Sequence, residues 1–179
     1  EVTLIGVPVT LATLTKSGRA AIASAIAARP LHLAWGSGLQ EWDEEGFALP
    51  SLVEATALTN EVGRRAVTRV GFVDPDTEGD IVVPVGINPD GSVQSARYRQ
   101  TEEVTPFLYV RVNYEFADAS SAVIRELGVF MDTAVDPSLP PGQTYFTPAE
   151  IANPGRLLAA QIILPAINRS PSVRQTIEF

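Results

Sequence analysis

The stretch Phe107-Leu108-Tyr109-Val110-Arg111-Val112-Asn113-Tyr114-Glu115-Phe116 decides the fold class of this chain. Successive side chains of a strand point to opposite faces, so an apolar–polar alternation marks a strand half buried against a core. Leu108, Val110, Val112, Tyr114 and Phe116 fall on one face, and Arg111, Asn113 and Glu115 on the other. A helical twist would scatter both sets around the axis. The segment predicts a sheet with its even-numbered side against a core.

Working outward, Val123–Met131 reads as a further strand. Upstream, Ile81–Ile87 and Ser92–Arg99 flank Asn88-Pro89-Asp90-Gly91, turn chemistry that predicts a hairpin. Pro84 cannot donate to a ladder, so its strand belongs at an edge or carries a bulge. Val62–Val73 reads as one strand stopped by Asp74-Pro75. Leu31, Leu33 and Trp35 alternate with His32 and Ala34 until Gly36-Ser37-Gly38 ends the strand. Leu157–Leu164 and Val173–Phe179 read as two closing strands, and Glu1–Leu11 as a strand or extended arm. One helix stands out. Thr15 is its N-cap, Ala20, Ile22, Ala23, Ile26 and Ala27 give it a small-residue face suited to lying close on a sheet, and Arg29-Pro30 ends it. Leu39–Pro50 is a loop, and Leu52–Asn60 reads equally as a short helix or a loop. The fold class is therefore α+β and β-dominated, with antiparallel, sandwich-like sheets, one N-terminal helix and a Pro-rich arm. Residues 1–135 form the main domain, 136–148 the Pro-rich arm or loop, and 149–179 closing strands that pack on the same domain or on a partner.

Composition narrows function. The 179 residues carry 13 Lys+Arg against 21 Asp+Glu, a net charge of −8 that argues against a nucleic-acid footprint. Cysteine is absent, which removes disulfides, thiolate nucleophiles and sulfur-ligated metals together. No apolar run approaches the roughly 20 residues that span a bilayer, and no secretory leader is visible at Glu1. Lys16 is the one lysine; the other basic residues are arginine, a planar fork suited to carboxylates and to interfaces. Arg- and Ala-favouring codon usage would give the same bias.

Candidates for chemistry are few. His32, the single histidine, sits inside an alternating strand without a local partner, and reads as structural. Asp74-Pro75-Asp76-Thr77-Glu78-Gly79-Asp80 resembles the opening of a calcium loop, yet Val85 stands where the bidentate Glu belongs, so a plain acidic turn is expected. Glu41 and Asp43, beside Trp42, would serve a polysaccharide hydrolase only if held in a cleft. The expectation is no enzyme, no metal and no cofactor. An exposed Trp42 in its acidic loop keeps a carbohydrate-binding module contacting host glycans as the alternative reading.

Four segments are similar to a known pattern. They are Leu14-Thr15-Lys16-Ser17-Gly18-Arg19, Leu31-His32-Leu33-Ala34-Trp35-Gly36-Ser37-Gly38, Ala57-Leu58-Thr59-Asn60-Glu61-Val62-Gly63-Arg64 and Ile124-Arg125-Glu126-Leu127-Gly128-Val129-Phe130. In this order they resemble the N-terminal, baseplate- and tail-docking domain of phage tail-collar fibre proteins, over about Leu11 to Met131. The residues themselves suit structural roles. Asn60 and Glu61 can turn the chain into a strand, Arg125 and Glu126 point to opposite faces, and Gly128 admits another backbone. The resemblance implies a structural virion protein of a phage tail, assembled in the host cytoplasm, often trimeric, with baseplate or tail proteins and fibre as partners. A shaft and receptor-binding tip do not fit within this length, so a stand-alone fibre adaptor or collar/baseplate piece is expected.

Assembly contacts are expected at Tyr145 and Phe146 on the Pro-rich arm, at Val173, Ile177 and Phe179 on the closing strand, and at Trp42. The apolar ending implies that the chain continues, or pairs with something, beyond Phe179.

Overall fold

The computed structural model describes residues 12–87, 92–119 and 121–179. Residues 1–11 and the predicted hairpin tip, Asn88 to Gly91, lie outside that range.

One helix and two five-stranded antiparallel sheets form the architecture. The helix α1 (Lys16–Ala27) starts where expected, with Thr15 Oγ1 accepting from Gly18 N at 3.1 Å. The first sheet has the order β11 (Arg156–Asn168), β7 (Val123–Met131), β1 (Leu31–Gly36), β2 (Glu61–Ala66), β9 (Tyr145–Phe146). The second has the order β12 (Gln175–Glu178), β6 (Phe107–Tyr114), β3 (Arg69–Pro75), β5 (Val93–Thr101), β4 (Ile81–Ile87). A two-residue strand β8 (Ala134–Val135) pairs with β10 (Ile151–Asn153) beside them.

The sheets meet across an apolar seam of Leu33, Trp35, Val112, Tyr114, Ile124, Leu127, Val129 and Ile177. Trp35 and Tyr114 stack with centroids 3.4 Å apart, and the Tyr114 hydroxyl donates to Leu33 O at 2.6 Å. Burial pushes the Tyr114 phenol well above its ordinary pKa, which fixes it as that donor. Val110, Val112 and Tyr114 are buried as the alternation of β6 requires, and Asn113 is exposed.

Several sequence readings are corrected. Val62–Val73 is two strands, because the chain leaves the first sheet after Ala66 and enters the second at Arg69. Phe116 lies beyond the end of β6 and is 44% exposed, whereas Tyr109, on the opposite side to Val110, is buried with Val73 and Ile81 in an outer cluster. The helix buries Ala23 alone, and Ile22 stays 49% exposed, because its packing onto β6 is slight. Residues 52–60 are turns and bends, not helix. Pro84 behaves as its chemistry demands: β4 is an edge strand, and its register shifts between Pro84 and Gly86.

Candidate assembly surfaces

Strand β1 is buried along its whole length, on both faces. Its inner face is the apolar seam. Its outer face is covered by the motif residues, and these form a polar lock. The Glu126 carboxylate, 3% exposed, accepts from Asn60 N at 2.7 Å, Thr59 N at 2.9 Å and Gly38 N at 3.3 Å. Three N–H donors replace the water this anion loses, and the 37–38 and 59–60 turns are drawn onto β7. Gly36 is required at this point, since a Cβ there would collide with Glu126 and with Asn60 O. Gly38 has φ +55°, a conformation that favours glycine.

Arg64, 2% exposed, is the cationic half of the lock. It grips Glu61 with two bonds at 2.7 and 2.8 Å, donates to Thr133 Oγ1 and Pro154 O at 2.7 Å each, and lies 3.9 Å over the Phe130 ring. A buried guanidinium is tolerable only when so fully partnered. Gly128 makes room for the Leu58 and Leu157 side chains, where the sequence suggested room for a backbone. Arg125, on the opposite face from Glu126, chelates Asp43 at 2.7 and 3.0 Å and donates to Ser37 O. That contact raises the Arg125 pKa and lowers that of Asp43.

His32 is buried against Phe146, with ring centroids 5.9 Å apart, and its Nδ1 has no hydrogen-bond partner among the described residues. Desolvation, helped by Arg64, pushes its pKa down to about 4, so it is a neutral packing group. Asp43 is tied to Arg125, and Trp42, in a 3-10 turn over Gln40–Asp43, is 2% exposed. Trp35 is buried as well, so neither tryptophan offers the exposed stacking platform that the sugar-binding alternative required. Asp76 accepts from Glu78 N and pairs with Arg99 at 2.9 Å, closing the acidic β3–β4 turn. Among the described residues no group of three or more His, Cys, Asp or Glu converges as metal ligands do.

The expected contact residues fall into two groups. Ile177 is buried in the seam through β12, which pairs with β6 from Gln175↔Tyr114 to Glu178↔Arg111. Phe179 exchanges backbone bonds with Val110 at 2.8 and 2.9 Å. Phe146 is buried and Tyr145 half-buried through β9, paired with β2. Trp42 joins this first group. Val173 is 52% exposed, as is most of the turn from Pro137 to Thr144. Apolar exposure that periodicity did not single out lies at Leu14 55%, Phe47 41% and Val53 85%. Two buried residues also escaped sequence reading. Arg169 donates to Glu115 O, Asp118 O and Val173 O, and lies over Trp35, while Asp118 pairs with Arg65. They stand in no recognisable motif, and only a prior guess at which loops adjoin could have found them.

No curated protein matches this chain. The family model of a baseplate wedge 3 tail fiber network component matches residues 11–179. The resemblance to tail-collar fibre proteins therefore holds at the coarser level of phage baseplate and tail-fibre components, with a wedge component as the matched description. With its motif residues spent on the lock around β1 and the match running through both sheets, the chain belongs to the baseplate wedge 3 tail fiber network component family.

Proposed function

We propose that the chain is a fibre adaptor within the phage baseplate, which acts by protein–protein contact, self-associates with a trimer preferred, and is assembled in the host cytoplasm. One observation carries this reading: the fold commits its motif charges to internal locks while leaving Leu14, Ile22, Phe47 and Val53 in water. Apolar groups of this kind stay exposed at a cost of about 1.5–3 kcal/mol per large side chain, a cost that association removes. Catalysis has no support in the same geometry, because His32 is neutral and buried and Asp43 is neutralised by Arg125. Cryo-electron microscopy of purified particles tests the placement. Density for this fold where the baseplate meets the fibre is expected; a particle complete without the chain would overturn the reading.

A further inference from the structure

Two exposed regions complement each other in charge, and they sit at opposite ends of β1. Helix α1 leads into β1 at Leu31 and carries Lys16 and Arg19 with no acidic residue. Ile22 on it and Leu14 just before its N-cap are exposed, at 49% and 55%. Residues 39–57 begin just past the other end of β1 and carry Glu41, Asp43, Glu44, Glu45 and Glu54 with no basic residue. Phe47 and Val53 are exposed there, at 41% and 85%. Each region thus sets exposed apolar side chains beside charges its own segment leaves unpaired, cationic on the helix and acidic on the loop, although Asp74 and Glu103 lie near the first and Arg125 near the second.

Apart from Asp43, which Arg125 holds, these charges form no ion pair among the described residues. Among the described residues, Lys16 and Arg19 form no ion pair, although Asp74 and Glu103 line the groove beside them, and Glu41, Glu44, Glu45 and Glu54 form none either. The indole N–H of Trp42, buried within the acidic turn, also lacks a partner. The six residues of β1 span roughly 20 Å between the C-terminal end of α1 and the start of the 39–57 loop.

We infer that the α1 patch of one copy docks on the 39–57 loop of the next copy, in a head-to-tail contact. The inference rests on the self-assembly reading above and deepens it by naming the two surfaces. Unlike patches joined in this way generate a ring when the rotation closes, and a trimer is the smallest ring that such a contact forms beyond a pair. The chain as a whole carries −8 and repels its copies, so a helix with Lys16 and Arg19 and no acidic residue is an element able to approach an acidic neighbour.

Charge reversal with rescue tests it by sedimentation velocity. The variants are K16E/R19E, E44R/E45R and all four changes together, with thermal melting to confirm folding. Each reversal is expected to weaken self-association about tenfold or more, equivalent to about 1.4 kcal/mol, and the combination to restore it. Raising salt should weaken the parent in the same direction. Association that ignores both reversals would overturn the inference and leave self-assembly standing. Weakening without rescue would overturn the pairing, placing each patch against some other protein. A parent that stays monomeric at every concentration would remove both the inference and the reading beneath it. Should a reversal impair folding, I22S and V53S replace it, and loss of association by both is the supporting result.

Discussion

The two faces of β1 are equally buried by opposite means. Inward, Leu33 and Trp35 pack on Val112, Tyr114 and Ile177, and the stabilisation comes from removing apolar surface from water. Outward, Ala34 and Phe130 share their layer with a fully partnered Arg64, while Glu126 holds two turns by three N–H bonds. Buried ion pairs contribute little net stability against apolar replacements, yet breaking one is costly. The inner face thus supplies the folding energy, and the outer face fixes which loop lies where. In a component that works by contact, the second task places the exposed 39–57 loop.

The largest effects should come from breaking either face. Val112→Asp puts an unpaired charge in the seam and is expected to cost about 4 kcal/mol or more, read as a loss of thermal and denaturant stability. Arg64→Ala strands Glu61 and opens a void beside Phe130, at about 3–5 kcal/mol. The contrast sharpens with Arg64→Met together with Glu61→Leu. If the lock specifies arrangement more than energy, that double change should restore most of the stability while leaving the outer loops more susceptible to proteolysis. Equal protease resistance in that variant would remove the distinction between the faces.

A smaller loss, about 1–3 kcal/mol, is expected for Gly63→Ala, because its methyl would collide with the Tyr145 hydroxyl and Phe146 O and push β9 off the sheet. His32 gives an effect that depends on pH. Its folded pKa of about 4 lies below the unfolded 6.5, so between these values the unfolded chain binds more protons. Its contribution is constant above pH 6.5 and falls as pH drops toward 4, by roughly 1–3 kcal/mol. His32→Leu should flatten the stability profile in that window, and an unchanged slope would show that the ring is not held neutral. The smallest stability effect should follow deletion of Ser138–Thr144, a mostly exposed turn ahead of β9. Melting is expected to shift by no more than a few degrees.

How much of this was legible depends on which physical signal each element carries. β6 and β7 were readable because alternation and turn residues report local burial. The α1 N-cap and the Pro84 edge were readable because each follows from one residue's chemistry. The crossing at Val67-Thr68 was not: both halves are β-favouring, and a chain that changes sheets without a break in propensity leaves no local trace. Helix α1 and β12 show the same limit from two sides. A small apolar helix suggested close packing and stands mostly in water; an apolar terminal strand suggested an open edge, and β12 is the outermost strand of its sheet, yet it pairs with β6 and buries Ile177 in the seam. Apolar content says that a segment gains from being covered, and only tertiary structure says by what. The motif residues were legible as structural, with Arg125 and Glu126 on opposite faces, whereas their partners Asp43, Asn60 and Gly38 depend on loops whose paths no periodicity records.

The proposed role is assembly, with the exposed apolar and charged patches as the means. The decisive measurement is the molar mass of the purified chain by light scattering, followed across concentration. The expected result is a concentration-dependent rise from monomer to a defined oligomer, a trimer of the 19.1 kDa chain, that dissociates as salt is raised. A mass fixed at the monomer value throughout, in low salt and at the highest soluble concentration, would contradict it.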